Sequence, residues 1–254
     1  MASQFAVIIP AAGQSRRFGK SGAKGLASKK KTFTELKGRA VWLRSVDCFA
    51  NRDDVKQIVL VVSAEDMQEF KERYRADLAF LDIELVEGGK ERADSVANGV
   101  AAVREEIDYI AVHDAARPLL ADEWITNVFQ AAEKSGAAIL ATPVTSTLKR
   151  AQETTITETV CREHLWMAQT PQVAKAEWLR SAFAKRDQSQ PTDEAQLLEQ
   201  AGYPVSIVEC SAINQKITTM QDFKMAEALL GVVPKKKGLD ALHPFADDEG
   251  MNWA

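Results

Sequence analysis

The stretch FAVIIPAAGQSRRFGK, Phe5 to Lys20, decides how this chain is read. Its first five residues are apolar at every position, not at alternate ones. That is the pattern of a strand buried on both faces, and such strands belong to parallel sheets covered by helices. Pro10 follows, has no N–H to give to a ladder, and can close the strand. Ala11, Ala12 and Gly13 then have almost no side chain, so a ligand can come close to their backbone N–H groups, which suit anions and base edges. Arg16 and Arg17 add fixed charge in a fork that fits phosphate oxygens. Taken alone, the loop leaves two readings open: an anion site, or a surface turn with solvated arginines. It lacks Gly-x-x-x-x-Gly-Lys-Ser/Thr. It also lacks Gly-x-Gly-x-x-Gly, which disfavours a dinucleotide-dependent oxidoreductase.

Outward from this stretch, similar apolar runs recur at 57–63, 83–86, 109–114 and 137–144. Between them, 40–50, 64–74, 93–106 and 122–136 carry apolar residues at helical spacing, and Gly136 is a good stop for the last. Strands separated by helices imply right-handed crossovers and a mostly parallel, twisted, Rossmann-like α/β sheet with helices on both faces. Ligands of such sheets sit at the carboxyl ends of strands. That rule selects the loop after Ile9, the EGGKERADS turn after 83–86, and HDAARP at the end of 109–114. Residues 145–160 then read as two short strands and a turn with little suited to a core, a projecting β-arm spanning about 143–165. Helices follow in 175–186, 192–202 and 220–231, with a strand in 204–209. Residues 1–231 read as one domain, and 232–254, with charge blocks and no periodicity, as a tail.

The chain has 254 residues, enough for a real core, and its 46% hydrophobic and 27% charged content is that of a globular protein in water. A net charge of −4 argues against a general nucleic-acid surface, so any anion site must be a local concentration of positive charge. Cys48, Cys161 and Cys210 are far apart and odd in number, with no zinc spacing, as in a reduced, cytoplasmic protein. No apolar run is long enough to cross a bilayer, and the first residues lead into a strand rather than a secretory leader.

At the second selected place, Gly88 and Gly89 permit close approach or positive φ, and a helix starting near Arg92 would aim its N-terminus at the site with Ser95 in its first turn. The alternative is an ordinary turn with a solvated serine. At the third, Asp114 can face a Mg²⁺ or a ribose hydroxyl, or can pair with Arg117 as a structural ion pair. His113 reads as a packed, hydrogen-bonded histidine. Thr192, ahead of Asp193 and Glu194, is a good helix cap. Arg162 and Lys216 could be surface charges.

PAAGQSRRF, GGKERADSV, VHDAARP, PVTSTLKR, LWMAQTPQ, TDEA and NQKIT occur in this order. Together they resemble the 2-C-methyl-D-erythritol 4-phosphate cytidylyltransferase family of non-mevalonate isoprenoid synthesis, over roughly residues 5 to 231. The resemblance implies a nucleotidyltransferase sheet of the glycosyltransferase-A kind, with CTP as co-substrate. It places Ala11, Ala12, Gly13, Gly89 and Ser95 on the cytidine, Asp114 on the ribose or Mg²⁺, and Arg17 with a lysine on the triphosphate. Thr147 and Arg162 on the arm, with Thr170, Thr192 and Lys216, would hold methylerythritol phosphate. The arm would embrace a second subunit, making a homodimer in which Arg162 acts across the interface.

The chain departs from the family in two places. Where the family has a Pro-Lys-Gln-like triplet soon after the arginines, this sequence has GKSGAKGLASKKKTF. Read backwards from Phe33, Leu36 and Gly38, the family register makes Lys31 the catalytic lysine, Lys30 the second choice, and leaves Lys20 and Lys24 on a Gly-, Ala- and Ser-rich flap. Lys90 stands where the family often has an acidic or small polar residue. Two further functions fit the same cytidine half: a ribitol-5-phosphate or other polyol-phosphate cytidylyltransferase, and a non-catalytic nucleotide-binding protein.

Overall fold

The computed structural model describes residues 2–13, 33–187 and 190–234. In chain order these form β1 (Phe5–Pro10), β2 (Glu35–Leu36), β3 (Arg39–Ala40), α1 (Val41–Ala50), β4 (Val55–Val62), α2 (Ala64–Arg73), α3 (Arg75–Phe80), β5 (Ile83–Glu87), α4 (Arg92–Ala102) and β6 (Tyr109–Val112). Then come α5 (Asp122–Ser135), β7 (Ala137–Pro143), β8 (Leu148–Gln152), β9 (Thr155–Val160), β10 (Trp166–Lys175), α6 (Ala176–Ala184), α7 (Glu194–Gln200), β11 (Ser206–Glu209) and α8 (Met220–Leu229).

The continuous apolar runs are explained by two cores, one on each face. β1 sends Phe5, Val7 and Ile9 to one cluster and Ala6 and Ile8 to the other. β4 does the same with Ile58, Leu60 and Val62 against Val59 and Val61. The two-residue pleat makes this split, and both halves must be apolar because both are covered. Side chains of α1, α2 and α5 fill the first core; those of α4, α6 and α7 fill the second. α4 comes close because Gly99 has no Cβ: one placed there would lie 2.7 Å from Ile8 Cγ2 and 3.0 Å from Val61 Cγ2. Gly136 ends α5 at φ 90°, as its left-handed C-cap role requires.

Seven strands form one sheet in the order β11-β7-β10-β6-β1-β4-β5. β1 runs parallel to β4 and β6, β4 to β5, and β7 to β11. β10 is antiparallel to both its neighbours, β6 and β7. Sequence reading did not anticipate this strand, because LWMAQTPQ is polar in the middle and carries Pro171. The ladder tolerates the proline through a register shift between Ala168 and Gln172, which leaves Gln169, Thr170 and Pro171 out of the pairing. The small β2–β3 pair and α3 were also not anticipated. β6 stops at Val112, so His113 and Asp114 lie just past the strand end, and α4 stops at Ala102 rather than 106. Among the described residues β8 and β9 pair only with each other, as a separate two-stranded sheet.

Candidate active site

Two turns meet at the carboxyl ends of β1 and β5. The Ala11 N–H is bonded to Val61 O at 2.7 Å, so it holds the loop to β4 and is not available to a ligand. Ala12 and Gly13 carry the donors that no other described residue takes. The Gly88 N–H bonds Val62 O at 2.7 Å, and a Cβ on Gly88 would lie 2.8 Å from Ala12 Cβ and 2.9 Å from Ser95 Oγ. Close approach, not positive φ, is therefore what this glycine supplies. Ser95 is buried rather than solvated. Its hydroxyl accepts from the Gly89 N–H at 3.1 Å and donates to Glu91 O at 3.0 Å, pinning the turn onto α4.

Asp114, just past β6, is the electrostatic centre of the crevice. Lys216 Nζ lies 2.9 Å and Arg117 Nε 3.4 Å from its Oδ2, and Arg92 Nη2 lies 3.6 Å from its Oδ1. Burial alone would raise its pKa; Lys216, Arg92 and Arg117 outweigh burial and hold it well below the usual carboxylate range. Arg92 is also paired with buried Glu194, through Nη1–Oε1 at 2.7 Å and Nη2–Oε2 at 3.0 Å. Burial would lower the Arg92 pKa, but Glu194 and Asp114 hold it raised.

The register break in β10 completes the crevice floor. Thr170 Oγ1 accepts from the Asp114 N–H at 3.1 Å and sits 3.1 Å from His113 Nδ1. His113 Nε2 lies 3.0 Å from Arg117 O, and burial pushes the imidazole pKa down to about 4, so it is a neutral packing residue as the sequence suggested. Arg117 also donates to Asn214 O at 2.8 Å, and Asn214 Nδ2 donates to Thr170 O at 2.9 Å, which ties the loop carrying Lys216 to β6 and β10. At α7 the capping residue is Asp193, which accepts from the Gln196 N–H at 3.0 Å. Thr192 is not the cap: its N–H and hydroxyl both reach Gln196 Oε1.

Ala12, Gly88, Gly89 and Ser95 thus form one contact group and Asp114, Thr170 and Lys216 another, with Arg92, three residues before Ser95 on α4, reaching Asp114. Thr147 and Arg162 are exposed on the arm, where Arg162 donates to the Thr145 carbonyl. No hydrogen bond or ion pair among the described residues links either of them to the crevice. Arg17, Lys31, Lys30, Lys24 and Lys20 lie outside the described residues, as does the tail beyond residue 234.

The profile of the 2-C-methyl-D-erythritol 4-phosphate cytidylyltransferase family matches residues 5–232. This chain belongs to that family. The enzyme of that name from Rhodopirellula baltica is 40% identical over 240 residues, covering 90% of this chain and 96% of the relative. The one from Bacillus licheniformis is 38% identical over 228 residues, covering 89% and 95%. The crystal structure of the Thermus thermophilus enzyme superposes with a TM-score of 0.72 at 31% identity, covering 88% of this chain and 96% of that one. A crystal structure described as 4-diphosphocytidyl-2C-methyl-D-erythritol synthase gives 0.73 at 32% identity, covering 91% and 100%.

In this cytidylyltransferase, Arg92, Arg117, Glu194 and Asn214 are site-forming residues that the sequence did not single out for function. A signal for all four was present, since Arg92, Arg117, Glu194 and Asn214 lie inside GGKERADSV, VHDAARP, TDEA and NQKIT. As a metal ligand Asp114 fits poorly. Its oxygens already face three cations, and no cluster of three or more His, Cys, Asp or Glu able to hold a metal exists among the described residues.

Proposed function

We propose that this chain transfers CMP from CTP to 2-C-methyl-D-erythritol 4-phosphate, giving 4-diphosphocytidyl-2-C-methyl-D-erythritol and pyrophosphate. An oxygen of the acceptor phosphate attacks the α-phosphorus, and the bond to the pyrophosphate oxygen breaks. The nucleophile is already anionic near neutral pH, so no general base is required. What the reaction needs is alignment of two mutually repelling phosphates and neutralisation of charge growing on the leaving group. The observation that carries this reading is the convergence of Lys216, Arg117 and Arg92 on buried Asp114 at the carboxyl end of β6, beside the Gly88–Ser95 turn.

Within this reading, Ala12, Gly13, Gly89 and Ser95 form the cytidine wall, with Ala11 fixing it to the sheet. Asp114 organises cations and can accept from a substrate hydroxyl. Mg²⁺ is assigned to the triphosphate oxygens rather than to Asp114, because a divalent ion approaching that carboxylate meets three positive side chains first. Arg17 and Lys31 hold the triphosphate. Lys216, Thr170 and Thr192 face the acceptor. Thr147 and Arg162 come from the arm of a second copy in a homodimer. This is supported by the arm's exposure, with Ile156, Leu165, Trp166 and Met167 38–60% accessible, since a two-stranded ribbon is marginal on its own. Residues 1–231 act as one catalytic domain with 143–165 as its dimerisation arm. The free thiols suit a cytoplasmic setting, and no helix among the described residues is long and apolar enough to cross a membrane.

Pyrophosphate release from CTP with methylerythritol phosphate and with ribitol 5-phosphate tests the assignment. Greater turnover with ribitol 5-phosphate overturns the acceptor, and CTP binding without turnover overturns catalysis. Lys31→Ala is expected to lower kcat on the order of 100-fold or more. Loss of turnover in Lys24→Ala alone would move the catalytic lysine.

A further inference from the structure

Two carboxylates share one guanidinium at the start of α4. Glu194 holds Arg92 through both nitrogens at 2.7 and 3.0 Å, whereas Asp114 Oδ1 stands 3.6 Å from Nη2, beyond hydrogen-bond reach. Lys216 meets the same Asp114 carboxylate at its other oxygen, 2.9 Å away. The Glu194 side chain is only 4% exposed and so cannot reach a substrate, while those of Arg92 and Lys216 are about one-third exposed toward solvent. Glu194 is itself fixed from behind. The Ala195 N–H donates to Gln172 Oε1 at 2.9 Å, and Gln172 Nε2 donates to Asp193 Oδ2 at 3.0 Å, locking the first turn of α7 to β10.

We infer that Glu194 is a positioning residue: by gripping Arg92 at two points it keeps that guanidinium from closing onto Asp114, so that Asp114 remains the anchor that places Lys216 for the acceptor phosphate. Arg92 and Lys216 compete for the charge of one carboxylate, from its two oxygens. A carboxylate that gains a direct charge-assisted hydrogen bond from a guanidinium at one oxygen has less charge to offer an ammonium at the other. Without the Glu194 charge, Arg92 Nη2 closes the 3.6 Å gap and Lys216 is released from its 2.9 Å contact. The inference rests on the reading of Lys216 as a ligand of the acceptor phosphate.

The test is steady-state pyrophosphate release by the full-length enzyme, varying methylerythritol phosphate at saturating CTP and CTP at saturating acceptor. The variants are Lys216→Gln, Glu194→Gln and the double variant, with thermal unfolding of each. Glu194→Gln is expected to lower kcat/KM for the acceptor about 10- to 100-fold, the scale of an ångström-level misplacement, mainly through KM, with the KM for CTP changed less than about twofold. In the Lys216→Gln background the Glu194→Gln change should have no further effect on the acceptor KM, because its route runs through Lys216. Effects that multiply in the double variant, or a KM for CTP that rises as much as that for the acceptor, overturn the inference and leave the pair as a staple between α4 and α7. If Lys216→Gln alone leaves the acceptor KM unchanged, the reading of Lys216 fails instead. Should Glu194→Gln not fold, Glu194→Asp, one methylene too short to grip Arg92 at both points, must raise the acceptor KM; a wild-type value there overturns the inference.

Discussion

The crevice and the β8–β9 hairpin handle polar groups in opposite ways. In the crevice, Ser95, Asp114, Thr170 and Glu194 are buried, and each is held by at least one partner from a different element or turn. In the hairpin almost every side chain is exposed, and its own ion pair, Arg150 with Glu158, is 69% and 52% accessible. One region is preorganised inside a single chain by a network whose loss leaves unsatisfied buried groups. The other has a ladder and a turn but no core. The proposed dimer would make the hairpin useful by placing it against another chain's crevice.

The sharpest way to break that contrast is complementation. Lys216→Ala, in the crevice, and Arg162→Ala, on the arm, are each expected to lower kcat/KM on the order of 100-fold. Mixed in equal amounts and allowed to exchange, the two inactive proteins should recover roughly a quarter of wild-type activity, because half the dimers pair an intact crevice with an intact arm at one of two sites. No recovery on mixing would confine Arg162 to its own chain.

Acid stability tests the crevice next. An unfolded histidine titrates near 6.5. Folded His113 stays neutral down to about 4 because burial disfavours its charged form. Its contribution is therefore complete above about pH 6.5 and is lost as pH falls toward 4, where only the unfolded chain takes up the proton. The total is of the order of 3 kcal/mol, with about 2 kcal/mol gone by pH 5. Urea unfolding at pH 7 and pH 5 should show that loss in the wild type and a flatter profile in His113→Gln.

A smaller, direct comparison sets Ser95→Ala against Arg150→Ala. Removing the buried hydroxyl that pins Gly89 should cost about 1–2 kcal/mol in urea unfolding and raise the KM for CTP. Removing the exposed arm arginine should stay within about 0.5 kcal/mol. Equal costs would erase the distinction between the two regions. Least perturbing is thiol labelling. Burial raises the Cys48 thiol to about 12 and Cys210 to about 11, whereas Cys161 is exposed on the arm. One thiol per chain should react quickly with a soluble disulfide reagent at neutral pH, and three after unfolding.

Much of the sheet was legible because its signal is local. A strand covered on both faces must be apolar at each residue, and that run survives in the sequence whatever lies next to it. β10 was not legible, because its place between β6 and β7 depends on long-range pairing while its own residues carry a proline and the polar groups Gln169, Thr170 and Gln172. The site divides in the same way. Small residues after β1 and β5 announced a close approach of backbone, and family motifs named Asp114, Thr170 and Lys216. That Ala11 has its N–H bonded to β4, that Asp193 rather than Thr192 caps α7, and that Glu194 grips Arg92 are all matters of which partner lies within 3 Å.

By itself, then, the sequence determined the class of fold, the crevice at the carboxyl ends of the strands, and the family, because periodicity, turn chemistry and motif order are properties of the chain read in one dimension. The tertiary structure alone decided the electrostatics. Asp114 stands on the loop after β6, Arg92 opens α4, Glu194 lies 102 residues beyond Arg92, and Lys216 is on a later loop, yet contacts of 2.7–3.6 Å bind them into one network around buried Asp114 and Glu194. Coulomb interactions between buried groups depend on distance and on exclusion of water, and neither quantity exists until the sheet has brought those loops together.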